Sequence, residues 1–174
     1  MSEATARPRE GAAGAQQRSG TARSGSRSPR RRSRELALQG LYEWQVSRAE
    51  ASVVAGHMRE QEDFGRCDSE HFEALLLGCI ADAAALDEGL APHLDRKLVL
   101  LSPVEHAVLW IGCWELQHCP EIPYRVVITE AVELAKTFGG TDGHKYVNGV
   151  LDKAAARLRA AEVAAAPKRV RAQV

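Results

Sequence analysis

No apolar run in the 174-residue sequence approaches the ~18–20 residues that a transmembrane helix needs, so no membrane-spanning segment is expected. No two cysteines form a C-x-x-C pair: Cys67, Cys79, Cys113 and Cys119 stand apart, and three of them lie in apolar, helix-like stretches. They read as reduced, mostly buried thiols of a cytoplasmic protein rather than a disulfide framework. Period-two alternation is missing throughout, which excludes a β-sheet core. Residues 1–29 hold almost no large apolar side chain and no apolar h-region. They cannot bury enough surface to offset their ordering entropy, so a disordered basic tail is expected there, and not a secretory signal. In being rich in Arg, with Ser and few acids, this stretch shares the composition of organellar transit peptides.

Signatures of catalysis are also wanting. Cys113, His118 and Cys119 make the one close Cys/His group, and no second half completes a tetrahedral metal set. Glu130 and Glu133 lack the Glu-x-x-His companion of a di-iron bundle. No nucleophile elbow organises the Ser, His and Asp residues. No catalytic residue, metal or cofactor is therefore expected.

What the chain does have is a divided charge. The total is neutral, with 23 basic and 23 acidic residues, but residues 1–34 carry nine Arg against Glu3 and Glu10. A basic arm on an acidic body is the asymmetry of a nucleic-acid-binding arm, and the acidic body suits a basic protein partner.

From about residue 30 to residue 160 the pattern is helical and long enough for one domain with a sizeable core. Ala37, Leu38, Leu41 and Trp44 form one stripe. A short helix follows from about Glu50 to Glu62, and a longer one from near Asp68 or Ser69 to Leu90, bounded by Pro92. Ser102-Pro103-Val104-Glu105 is a capping box with Pro at N1. It opens a helix, Val104 to Leu116, that is apolar around most of its circumference and so belongs at the centre. Pro123 opens the next helix, which Gly139-Gly140 stops. Thr141 or Asp142 can cap the last, which packs through Val147, Val150, Leu151, Ala154 and Leu158. Six or seven helices without strands make an all-α bundle. Residues 161–174 are expected to fray.

Two places can carry binding. In the run Arg30-Arg31-Arg32-Ser33-Arg34, Arg31 lies roughly 20° from Tyr42 around a helix axis, on the side away from the apolar stripe. Guanidinium forks hold phosphates and a tyrosine ring stacks an unpaired base. A solubilising tail with an ordinary half-exposed tyrosine fits the same residues. The second place is the turn from Phe138 to Tyr146, where three glycines precede free helix N–H groups, Lys145 adds charge, and Phe138 and Tyr146 are possible stacking rings. It is not a P-loop, because the Gly-Lys-Ser/Thr ending and a preceding strand are missing. A glycine C-cap, an Asp N-cap and core aromatics explain the same residues, and by composition alone that plainer reading is the favoured one.

Three blocks of sequence carry a family likeness. The segment Arg30 to Glu35 followed by Ala37-Leu38-Gln39-Gly40-Leu41-Tyr42 and Trp44 resembles the start of the NusB family of transcription antitermination factors. So do Pro123 to Gly139 and His144-Lys145-Tyr146-Val147-Asn148-Gly149-Val150-Leu151-Asp152, and the resemblance spans about Arg30 to Arg159. It implies two three-helix subdomains and a non-enzymatic RNA-binding factor. It further implies pairing with the ribosomal protein NusE, binding of single-stranded boxA RNA in nascent ribosomal transcripts, and work within the RNA polymerase antitermination complex. Carried over by position, the residues facing RNA are Arg30, Arg31, Arg34, Tyr42, Phe138, Asp142, Lys145 and Tyr146. Val104 and Glu105, at the capped start of the central helix, are expected near the protein partner. Gly143 is expected to loosen the turn around Asp142, and the 29 residues before Arg30 exceed what the family core needs.

Two other readings compete. Some ribosomal RNA methyltransferases carry a similar helical domain ahead of a catalytic one, but no strand-rich region or Gly-rich cofactor loop follows here. A structural helical adaptor would have no RNA affinity.

Overall fold

The computed structural model describes residues 28–167, so most of the expected basic tail and the end of the expected C-terminal tail lie outside the described residues. Eight α-helices and three short 3₁₀ turns make up the described chain, and no strand occurs among the described residues.

The first helix, α1 (Pro29–Ser47), takes in the whole arginine run. Ser28 is its N-cap, accepting from the Arg31 N–H at 3.2 Å, and Pro29 sits in its first turn. The run is therefore helical from its start, and Ser28 and Pro29 belong to the domain rather than to a tail. Gly40 and the buried Leu36, Ala37, Leu38 and Leu41 turn α1 inward. It stops at Arg48, whose φ of 59° is left-handed, with the Arg48 N–H closing on the Trp44 carbonyl.

α2 (Ala51–Arg59) follows, then α3 (Ser69–Ala81), which Asp68 caps by accepting from the His71 N–H at 3.1 Å. The long helix expected up to Leu90 is divided: α4 (Ala83–Leu90) begins after Asp82, whose ψ of 8° leaves the helical region. The apolar spacing runs through this one-residue break because the Asp82 and Leu86 amides keep their four-back bonds. α5 (Pro103–His118) begins with both halves of the capping box formed, Ser102 Oγ accepting from the Glu105 N–H at 3.2 Å and Glu105 Oε2 from the Ser102 N–H at 3.1 Å. α6 (Tyr124–Phe138) and α7 (Gly143–Leu158) complete the main set.

The packing forms two groups. α1 lies on α2 and α3, while α5, α6 and α7 pack on one another; α1, α3 and α4 then dock on α5, which sits in the middle as its all-round apolar pattern requires. Two glycines permit close approach at these seams. A Cβ on Gly78 would stand 2.5 Å from the Trp114 ring, and one on Gly112 2.6 Å from Leu151. No helix among the described residues is long and apolar enough to cross a membrane.

The expected frayed end is different up to Ala165. α8 (Ala160–Ala165) is a short helix held by two charged side chains. Arg159 donates to the carbonyls of Leu116 (2.6 Å), Cys119 (2.8 Å) and Glu115 (3.2 Å), closing the carbonyl end of α5. Glu162 accepts from the Tyr124 N–H at 2.9 Å, at the amide end of α6. Each charge has the sign that the helix end attracts.

Candidate nucleic-acid interface

The arginine run is paired within the protein. Arg30 is 46% exposed and reaches Asp68 at 3.4 Å and Glu121 at 3.8 Å. Arg31 is 37% exposed and forks onto Glu130, Nε at 3.0 Å and Nη2 at 2.8 Å. That bond raises the Arg31 pKa further above its ordinary value. Arg32 spans Glu35 at 2.9 Å and Asp63 at 2.6 Å.

Arg34, expected to face RNA, does not lie at the surface. Its side chain is 4% exposed, and its guanidinium holds Glu115 at 2.8 Å, with Glu130 at 3.7 Å. Three residues past Arg31, it turns toward α5 instead of solvent. His71 contacts the same Glu115 carboxylate at 2.8 Å. Glu115 interrupts the apolar stretch that runs from Ala107 to Leu116, and that is the available signal that a buried cation lies opposite.

Tyr42 is 45% exposed, away from the core. Glu35, which the helical wheel places on the same side as Tyr42, is buried with Arg32 instead. The C-terminal half of α1 meets the start of α5, where Gln45 Nε2 donates to the Pro103 carbonyl at 3.0 Å. The start of α7 lies at the same end, because a Cβ on Gly143 would be 3.1 Å from Glu105 Oε1. Gly143 is thus buried and close-packed, not a loosening of the turn.

Between α1 and α6 runs a hollow of about 180 Å³ lined by Arg31, Glu35, Glu130, Glu133, Leu134 and Thr137. It leads from the Arg31–Glu130 fork to the residue before Phe138. Phe138 ends α6, half-buried against the core. Asp142 occupies the N-cap position of α7, yet its carboxylate caps no amide and instead meets Lys145 at 2.9 Å, both side chains well exposed. Tyr146 is half-buried, and the Arg96 guanidinium covers its ring at 4.1 Å. Its hydroxyl is buried without a hydrogen bond, near Asp95; burial, then that carboxylate, pushes the phenol pKa up. Of the three expected rings, Tyr42 is the exposed one, and Phe138 and Tyr146 are half-buried.

The groove is of mixed sign, with Glu130 and Glu133 beside Arg31. Such a surface gains little from phosphate attraction alone. It suits an unpaired strand, whose bases offer amino donors to carboxylates and faces to aromatic rings. Val104 and Glu105 are both half-buried, and Glu105 lies close to Gly143 at the start of α7. The exposed apolar side chains here are Val99 and Leu100, in the 3₁₀ turn Leu98–Leu100 just ahead of α5.

The NusB family model matches residues 31–156. The chain belongs to the NusB family. The transcription antitermination protein NusB of Ralstonia nicotianae is 58% identical over 80% of this chain and 90% of its own length. That of Acidovorax sp. (strain JS42) is 52% identical over 91% of this chain and 87% of its own. Among solved structures, T. maritima NusB superposes with a TM-score of 0.65 at 28% identity, covering 73% of this chain and 90% of that one. The fold of two helical groups is the family's, and the protein's work is transcription antitermination, carried out without catalysis.

Proposed function

We propose that this NusB-family chain binds single-stranded boxA RNA in nascent ribosomal RNA transcripts, in the cytoplasm, as one half of a pair with the ribosomal protein NusE. The pair then acts within the RNA polymerase antitermination complex. The observation that carries the reading is the α1/α6 groove, which has the partly exposed, Glu130-paired Arg31 fork at one end and runs toward the Phe138 turn. Arg30, Arg31 and Tyr42 contact the strand, with Phe138, Asp142, Lys145 and Tyr146 around the turn. Arg34 serves by holding α1 on α5, so that its neighbours face outward. Asp142, next to Lys145, accepts from a base or sugar donor rather than attracting phosphate.

NusE is assigned to the capped start of α5, where Val104 and Glu105 stand beside the exposed Val99 and Leu100. Apolar side chains open to solvent next to an acidic body suit a basic protein with an apolar contact.

A fluorescence titration of boxA RNA and a scrambled strand, each with and without NusE, tests both halves. Tighter binding of boxA than of the scrambled strand, strengthened by NusE, is expected. Equal binding of the two strands rejects the RNA assignment, and no gain with NusE rejects the pair.

A further inference from the structure

Beyond the turn, cations continue along α7. Lys145, Gly149, Lys153 and Arg157 follow one another at four-residue spacing, each about 40° further round the axis, so they form a slowly winding strip ~18 Å long. Two hollows open along this strip. One, of about 310 Å³, is lined by His93, Asp95, Lys145, Tyr146, Gly149 and Lys153. The other, of about 400 Å³, has His93, Arg157 and Glu88 in its wall. His93 lines both, so the two hollows are neighbours.

We propose that this face of α7 is a second RNA track, which holds the phosphates of nucleotides flanking the element bound in the α1/α6 groove. The inference rests on the RNA reading above and extends it from Lys145 at the turn to Lys153 and Arg157, which that reading does not use. Three observations carry it. First, the arginines of α1 are each matched by a carboxylate, whereas Lys153 and Arg157 pair with none among the described residues. Like charges four residues apart on a helix work against stability, and no ion pair offsets these two among the described residues.

Second, the track is continuous with the turn, because Lys145 lines the same hollow as Lys153. A strand leaving the turn meets these cations next. Arg96, lying over Tyr146, and the exposed Lys97 stand beside that entry.

Third, the local field is positive. The His93 pKa is lowered by burial and then by Arg157 and Lys153. Of the two carboxylates in the hollows, Asp95 is held by Arg96 at 3.0 Å, which leaves Glu88. Gly149 keeps the floor between the lysines bare, with nothing within 4 Å of the place a Cβ would take.

The experiment compares three labelled RNAs by anisotropy across a salt series. They are boxA alone, and boxA with a uridine tract on its 5′ or its 3′ side, long enough to span the ~18 Å of the track. The proteins are the full chain, K153E/R157E and K153Q/R157Q, each checked by thermal melting. One flanked RNA is expected to bind the full chain tighter than boxA alone, with a salt slope steeper by ~1.4 for two added phosphate contacts. Both variants lose that increment and keep the affinity for boxA alone. If neither flank adds affinity, or the variants keep the increment, the track is rejected. Should boxA alone fail to bind the full chain, the groove reading fails by itself. The track is then judged on the free uridine tract, which must bind the full chain more tightly than K153E/R157E. Polyglutamate competing as well as uridine would assign the face to an acidic protein and overturn the RNA proposal.

Discussion

The Arg34 guanidinium holds the Glu115 carboxylate at 2.8 Å in the interior, joining the first helix to the central one. Both side chains are almost fully buried, and His71 contacts the same carboxylate. Breaking such a pair by removing one partner strands a charge in the core. Arg34→Ala is expected to cost about 3–5 kcal/mol, and Glu115→Leu a similar amount. The double change Arg34→Met with Glu115→Leu removes both charges and should recover much of the loss. Urea denaturation of Arg34→Met, Glu115→Leu and the double variant measures the coupling. Additive losses would show that the contact contributes nothing beyond its separate members. Arg34→Ala should lower stability and leave the RNA affinity of the folded fraction close to that of the unaltered chain.

That pair also marks the boundary of what sequence reading reaches. The helices were legible because their signals are local: the Ser102–Glu105 box, the Pro at the start of α5 and the Gly139-Gly140 stop all lie within a few residues of what they punctuate. Arg34 and Glu115 are 81 residues apart, and composition marks an arginine run as solvated. The break at Asp82 hid for the opposite reason, since a one-residue interruption leaves the apolar spacing intact. Around the turn, Tyr146 reads as an available ring until Arg96, from a distant segment, is found to cover it. Helices are written in local chemistry, whereas the identity of a surface is decided by partners that folding brings from elsewhere.

Arg159 makes its bonds to the end of α5 from a largely buried position, with Glu162 at 2.9 Å on its other side. Hydrogen bonds from a charged group to carbonyls contribute about 1.5–3 kcal/mol each at most, and acting together they are not additive. Arg159→Ala should therefore lower stability by about 2–4 kcal/mol, and Arg159→Lys should recover little because a single ammonium cannot reach three carbonyls at once. Thermal melting compares the two. A variant Arg159→Ala that melts with the unaltered protein would show that water replaces the guanidinium at no cost.

Asp68 links capping to pH. Its carboxyl is held below the ordinary value of 3.8, first by the His71 N–H that it accepts and then by Arg30. A carboxyl depressed on folding contributes stability that is fully present above its unfolded pKa and is lost as pH falls through the folded one. The contribution is thus intact at neutral pH and disappears below about pH 4. Asp68→Asn keeps the cap but removes the titration, so its stability should fall less steeply than the parent's over that acid range. Asp68→Ala also loses the cap and should cost about 1 kcal/mol at neutral pH. Denaturation curves at several pH values separate the two effects. An unchanged acid slope in Asp68→Asn would remove Asp68 from the account of acid sensitivity.

The exposed side of α1 is where binding and stability should part company. Arg30 and Arg31 lie partly open, so Arg30→Ala with Arg31→Ala is expected to lower the salt slope of boxA binding by ~1.4, the value for two phosphates on a single strand. Arg31 has to exchange Glu130 for phosphate, which makes Glu130→Gln the informative companion. It frees the fork and should tighten binding, provided that Arg34, 3.7 Å from the same carboxylate, keeps Glu115. Tyr42→Ala removes a stacking face without touching the core. It should cost about 1–3 kcal/mol of RNA affinity, with no change in salt slope. Its stability should stay within about 0.5 kcal/mol of the parent. Titrations at several salt concentrations, paired with urea denaturation, distinguish these outcomes. If Tyr42→Ala binds boxA as tightly as the parent, the open ring is not a base platform, and the α1/α6 groove has to bind through its charges alone.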